Sequence, residues 1–92
     1  MRFLAIALCC LLALPFVVAD AHQDPDVAGY IQVDGGRIWY RLNGAEHLGK
    51  RPAIIVAHGG PGGTHRGNMS YVALSDKYPV ILYDQLGTGN SD

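Results

Sequence analysis

The sequence lacks the residue patterns that would tie it to nucleic acid, to a metal or to thiol chemistry. Its only cysteines, Cys9 and Cys10, lie side by side near the start of the chain. The formal net charge is −1 and no basic cluster is present, which argues against nucleic acid and anionic membrane surfaces as partners. No cluster of metal ligands is visible, and no metal or organic cofactor is expected.

A long apolar run occurs only at the N-terminus. Arg2 gives the start a positive charge, and Phe3 to Val18 is almost wholly apolar. The tripeptide at 19–21 then carries the small residues that a signal peptidase recognises. This order predicts a signal peptide over residues 1–21, with a retained membrane anchor as the alternative. Its removal would take both cysteines with it, leaving a secreted or periplasmic protein with no membrane contact.

The next part of the chain predicts a β-hairpin. Residues 22–29 are polar with a proline and are expected to form a flexible lead-in. Residues 30–33 and 37–42 are rich in β-branched and aromatic side chains and flank a turn at Asp34-Gly35-Gly36. The second run alternates apolar with polar or larger residues, which predicts one buried face. That face would carry Ile38, Tyr40 and Leu42.

The remainder predicts two strands of a parallel sheet joined by a helix. Residues 52–57 and 80–83 are continuous apolar runs, as expected for strands covered on both faces. Between them, residues 67–78 favour a short helix capped by Asn68 or Ser70. The fold class is therefore α/β, with residues 30–92 as the first part of a larger domain. The sheet is expected to end at Tyr83 with an uncovered edge.

The glycine-rich loop His58-Gly59-Gly60-Pro61-Gly62-Gly63 follows the first of these strands. Ligand sites of α/β sheets lie at the carboxyl ends of the strands, and glycine lets backbone N–H groups approach a ligand. The loop therefore fits an oxyanion hole. A structural turn without chemistry remains an alternative, and so does phosphate binding, although neither the P-loop nor the dinucleotide pattern is matched.

Two motifs in register resemble those of the proline iminopeptidase family of α/β-hydrolases. The first is His58-Gly59-Gly60-Pro61-Gly62, and the second is Asp84-Gln85-Leu86-Gly87-Thr88-Gly89-Asn90-Ser91. The resemblance covers residues 30–92. It implies a serine hydrolase in which a Ser nucleophile, a His base and an Asp act on an amide.

The resemblance also implies a role for each matched position. Gly60 would give the backbone oxyanion donor, with Gly59 making the turn possible. The remaining positions would support the loops: His58, Pro61, Gly62, Asp84, Gln85, Gly87, Gly89 and Ser91. Ser91 begins a pattern like that of a catalytic serine, but the second motif already accounts for it, and such a serine is also an ordinary helix cap. The triad residues are expected outside these 92 residues.

The resulting prediction is an exported aminopeptidase that releases N-terminal residues, proline preferred, from a peptide or small amide or ester substrate. The segment by itself is expected to be inactive, because it would carry only the oxyanion-hole loop. One alternative is a related α/β-hydrolase that acts on esters, epoxides or other amides. Another is a secreted remnant or binding module without catalysis.

Overall fold

The computed structural model describes residues 24–92, and the predicted signal peptide lies outside the described residues. The first element is the predicted hairpin, in which β1 (Val27–Val33) and β2 (Gly36–Asn43) pair antiparallel. The turn between them includes Gly35, whose φ of 95° is a left-handed conformation that favours glycine. The hairpin prediction is confirmed.

The hairpin begins earlier than predicted. Val27 pairs with Leu42, and the N–H of Asp26 donates to the Leu42 carbonyl at 2.8 Å. The prediction of a flexible lead-in over 22–29 is therefore wrong for residues 27–29, which are strand. The long second strand provides backbone partners for this segment, and composition does not reveal that pairing.

The two apolar runs form adjacent parallel strands, as predicted. β3 (Ile54–Val56) pairs with β4 (Val80–Tyr83), with Ile55 opposite Ile81. The sheet order is β1-β2-β4-β3, because β4 also pairs antiparallel with β2. The expectation of an uncovered edge at Tyr83 is wrong, since β4 lies inside the sheet and β3 lies at its edge.

A 3₁₀ helix spanning His65–Asp76 connects the parallel strands. It begins earlier than the predicted helix, and its cap is Thr64, whose Oγ1 accepts from the Arg66 N–H at 3.2 Å. Asn68, one of the predicted caps, instead lies inside it at non-helical backbone angles. A run containing Gly67, Asn68 and Ser70 has weak helix propensity, which is consistent with short irregular turns.

The core lies between this helix and one face of the sheet. Val72, Val80 and Leu82 are each about 1% exposed and pack together, with Val56 and Met69 against them. Continuous apolar strands place alternate residues on this face, so β4 directs Val80 and Leu82 inward. Among the strand residues on the opposite side of the sheet, the described residues bury Leu42 alone.

The prediction for β2 is right for Leu42, which is buried, but wrong about the face that packs against the helix. Trp39 and Arg41 lie on the helix side, where the Trp39 ring is 4.6 Å from the His65 ring and Arg41 contacts Met69. Ile38 and Tyr40 instead face an apolar groove on the other side. The prediction that β3 is covered on both faces is also wrong for the described residues, since Ile55 is 64% exposed. The groove is lined by Ile31, Val33, Ile38, Tyr40, Ile55, Ile81 and Tyr83.

Candidate functional site

The two glycine-rich loops meet at the carboxyl ends of β3 and β4. The strands are parallel neighbours, so the segments that follow them leave the same end of the sheet. The backbone N–H of Gln85 donates to His58 Nε2 at 3.0 Å, and the Gln85 side-chain amide donates to the His58 carbonyl at 3.2 Å. Residues of the two sequence motifs are thus in direct contact.

This contact fixes which nitrogen of the neutral His58 ring carries the hydrogen. Its Nε2 accepts the Gln85 N–H and therefore carries no hydrogen, so in the neutral ring the hydrogen is on Nδ1. Nδ1 lies 2.7 Å from the Gly59 carbonyl oxygen and donates to it. The Thr88 hydroxyl, 3.4 Å from Nε2, donates instead to the Gln85 carbonyl at 2.7 Å. Both nitrogens of His58 are therefore engaged in structural hydrogen bonds, and neither is free to act as a base.

The segment after His58 is exposed and open. Gly59 and Gly60 have no atom within 4 Å of the position where a side chain would begin. Within residues 24–92, no hydrogen bond uses the N–H of Gly60. The Gly60–Pro61 peptide bond is cis, and Gly62 has a φ of 84°. The first loop thus presents unpaired backbone N–H groups beside the carboxyl ends of the strands, since within residues 24–92 no hydrogen bond uses the N–H of Gly59, Gly60, Gly62 or Gly63.

Asp84 is the buried centre of the second loop. Its side chain is fully buried and accepts from the His65 N–H at 2.6 Å, the His65 Nδ1–H at 3.0 Å and the Asn90 N–H at 2.9 Å. Burial by itself would raise the pKa of Asp84, but the hydrogen bonds from Asn90 and His65, with the charge interaction with His65, hold that pKa below its ordinary value. Asp84 is therefore a carboxylate that organises the loop.

Gly89 is shaped by this carboxylate. Its φ is 49°, and a side chain there would overlap the Asp84 carboxylate. Gly87 also has a positive φ, 85°, but no atom lies within 4 Å of the position of its missing side chain. Both positions require glycine for their backbone conformation, and only Gly89 also requires it for space.

The end of the second loop is hydrogen-bonded to β2. The Ser91 hydroxyl donates to the Asp84 carbonyl at 2.6 Å and accepts from the Trp39 N–H at 2.7 Å. Asp92 receives both the backbone N–H and the guanidinium of Arg37. The Ser91 hydroxyl makes structural hydrogen bonds here and has no base beside it.

Two buried polar features were missed from the sequence. The His65–Asp84 pair joins the first residue of the 3₁₀ helix to the second loop. Arg41, 7% exposed, donates to the Asn43 side chain at 3.0 Å. Burial lowers the pKa of Arg41, and the nearby Asp24 opposes that shift. No spacing pattern links His65 to Asp84. The spacing of Arg41 and Asn43 on one strand puts them on the same face but does not show that this face is buried.

The described residues offer backbone donors at this end of the sheet and no complete catalytic group. Across residues 24–92, no three His, Cys, Asp or Glu side chains gather where they could hold a metal ion. The helical segments of this same range are all too short or too polar to cross a bilayer. The unpaired backbone N–H groups of the first loop are therefore open to a ligand at this end of the sheet.

The fold places the chain in a known class. The crystal structure of VinJ, an α/β-hydrolase, matches it with a TM-score of 0.65 and 40% sequence identity, over 75% of this chain and 23% of VinJ. The mixed sheet and its two facing loops correspond to the N-terminal region of that fold. The chain is thus part of an α/β-hydrolase.

Sequence comparison narrows the class to a family. The chain is 47% identical over 64 residues to the proline iminopeptidase of Heyndrickxia coagulans and 41% identical over 68 residues to that of Clostridioides difficile (strain 630). The aligned segments are 70% and 68% of this chain, and the chain spans 22% of the length of each relative. No family model matches the chain. It belongs to the proline iminopeptidase family, as a segment of a member, and the predicted resemblance is confirmed.

Proposed function

We propose that this chain provides the oxyanion-hole loop of a serine-type aminopeptidase that releases N-terminal residues, proline preferred, from peptides. The observation that carries the proposal is the Gly60 N–H, which is exposed at the carboxyl ends of parallel strands and makes no hydrogen bond within residues 24–92. The similarity to curated proline iminopeptidases supports the substrate class.

The proposed mechanism gives this segment one chemical task. A serine attacks the amide carbonyl, a histidine takes the serine proton, and an aspartate orients that histidine. These three residues are taken to lie outside residues 24–92, because Ser91 and His58 already make structural hydrogen bonds. As the carbonyl oxygen becomes an oxyanion, the Gly60 N–H donates to it, a contribution of about 3–4 kcal/mol in acyl transfer.

A chimera tests this proposal. Residues 27–92 replace the matching segment of the Heyndrickxia coagulans proline iminopeptidase, and hydrolysis of a proline arylamide is measured. We expect kcat/KM within about tenfold of the parent enzyme, since the framework around the donor is shared. A folded chimera without amidase activity would contradict the proposal. Hydrolysis of esters or epoxides in place of the amide would favour a related α/β-hydrolase activity.

Two variants of the chimera test the contribution of the Gly60 N–H to activity. Gly60→Ala keeps the N–H and adds a methyl group where no atom lies within 4 Å, so activity should persist. Gly60→Pro removes the N–H, and kcat should fall about 10²- to 10³-fold. Thermal unfolding of both variants checks that the fold survives. The 92-residue chain assayed alone should release no proline.

We also propose that residues 1–21 export the protein. The support is the order of positive start, apolar run and small residues at 19–21. Fusion of residues 1–29 to an alkaline phosphatase without its own leader tests this, because that enzyme needs an oxidising compartment for its disulfides. Phosphatase activity is expected. The double variant Leu11→Arg, Leu12→Arg interrupts the apolar run and should abolish it.

A further inference from the structure

We infer that Gly63 and His58 act together as positioning residues that set the direction of the Gly60 N–H. The inference rests on the proposed oxyanion role of that group. Both residues act on the same atom, the carbonyl oxygen of Gly59. His58 was expected to support the loop, whereas Gly63 was not among the expected site residues.

The Gly59 carbonyl and the Gly60 N–H belong to one peptide unit. Within residues 24–92 the Gly60–Pro61 bond is the one cis peptide, so the Gly59–Gly60 bond is trans. In a trans peptide the C=O and N–H are coplanar and point in opposite directions. Fixing the Gly59 oxygen therefore fixes the direction of the Gly60 N–H.

His58 holds the Gly59 oxygen from the inside. The His58 ring is buried, and its Nδ1–H donates to that oxygen at 2.7 Å. The ring is itself held by the N–H of Gln85 on Nε2. The Gly59 carbonyl thus points inward, and the Gly60 N–H points outward to the exposed side of the loop.

Gly63 leaves the space that this arrangement needs. A side chain on Gly63 would overlap the Gly59 oxygen and would begin 3.2 Å from His58 Nδ1. Gly63 does not have a positive φ, in contrast to Gly62, so its backbone conformation is open to other residues. Glycine is therefore required at position 63 for space alone. Any side chain there would displace the oxygen, break the hydrogen bond from His58 and rotate the Gly60 N–H.

A pair of glycine substitutions in the chimera tests the role of Gly63. Gly63→Ala should lower kcat about 10²-fold with little change in KM, because a displaced donor affects the transition state more than substrate binding. Gly67→Ala is the matched control, since Gly67 also lacks a positive φ and no atom lies within 4 Å of its missing side chain. It should retain parental kcat. Equal activity of the two variants would overturn the inference.

A pair of histidine substitutions tests which contact of His58 matters. The asparagine side-chain nitrogen takes the place of Nδ1, so His58→Asn can still donate to the Gly59 oxygen. The longer glutamine side chain reaches the place of Nε2, so His58→Gln can accept from Gln85 but loses the donor to Gly59. His58→Asn should keep kcat within a few-fold, and His58→Gln should lose about 10²-fold. The reverse order would overturn the inference.

A measurement on the full 92-residue chain separates this inference from the proposed function. Long-range ¹H–¹⁵N spectra should show the His58 hydrogen on Nδ1, and Gly63→Ala, but not Gly67→Ala, should shift the Gly59 and Gly60 resonances. A hydrogen on Nε2 would overturn the inference even if the chimera is active. An inactive chimera with these spectra as expected would instead contradict the oxyanion role while leaving the geometry of the loop supported.

Discussion

The two glycine-rich loops lie side by side but are held in opposite ways. The second loop is tied to the rest of the molecule by its own side chains. Asp84 accepts three hydrogen bonds and Ser91 makes two, while Asp92 receives the Arg37 guanidinium. The first loop is held at His58, whose ring and carbonyl both contact Gln85, and through the space at Gly63.

The two loops are held differently because only the first must leave a backbone N–H without an internal hydrogen-bond partner. A loop that supports its neighbour can use every polar group, so the second loop buries its carboxylate and satisfies its hydroxyl. A loop that offers a backbone donor to a ligand must leave that donor without an internal partner. The first loop solves this by fixing only the far side of the peptide, at the Gly59 oxygen. Substitutions in the second loop should therefore act first on stability.

Among these substitutions, we expect the largest loss of stability when Asp84 is replaced. Asp84→Ala leaves the buried donors of His65 and the partly buried Asn90 N–H without their acceptor, so the free energy of unfolding should fall by about 3–5 kcal/mol. Urea unfolding followed by circular dichroism measures it. Asp76→Ala removes an exposed carboxylate and should change stability little. A loss no larger than that of Asp76→Ala would show that the second loop is not held by its carboxylate.

The acid dependence of stability sharpens the same test. The folded-state pKa of Asp84 lies below the ordinary value of 3.8, so its contribution is present above that value. The contribution is lost as the pH falls through the folded-state pKa. The difference between wild type and Asp84→Ala should therefore shrink in acid. A difference that stays constant from neutral pH to below the ordinary pKa would contradict the role of the charge.

Part of the fold, but not all of the contacts around the two loops, could be predicted from the sequence. The hairpin, the parallel strands and the meeting of the two loops follow from local periodicity and from glycine-rich breaks at strand ends. The partner of His65 could not be predicted, because a lone histidine carries no pattern and Asp84 lies 19 residues away on the loop after β4. The position of β4 between β2 and β3 depends on long-range pairing, which local composition does not encode.

The orientation of β2 was predicted wrongly for a physical reason. Hydropathy assigns the apolar residues of an alternating strand to the covered face. Here the covered face carries Trp39, Arg41 and Asn43, and the two polar side chains satisfy each other beneath the 3₁₀ helix. Burial of a paired polar cluster is compatible with a stable core only when its hydrogen bonds are made. Sequence alone does not show that they are.

A smaller loss of stability is expected when Ser91 is replaced. Ser91→Ala removes the acceptor of the Trp39 N–H and the donor to the Asp84 carbonyl, both partly buried. The free energy of unfolding should fall by about 1–3 kcal/mol. In the chimera, amidase activity measured well below the melting temperature should persist, since Ser91 supports the loop and is not the nucleophile. Complete loss of activity in a folded variant would contradict that assignment.

The smallest effect is expected where the second loop reaches the surface, at Asp92. Its carboxylate meets Arg37 at 2.9 Å, but both side chains are about half exposed, so solvent screens the pair. The hydrogen bonds from the Arg37 side chain and backbone lower the pKa of Asp92, with a smaller charge contribution. Asp92→Asn should lower the melting temperature slightly at low salt, and the difference from wild type should vanish at high salt. Asp76→Asn makes the same charge change at an exposed position and controls for net charge. A salt-independent loss as large as that of Ser91→Ala would mean that the ionic contact holds this end of the loop as firmly as the buried hydrogen bonds do.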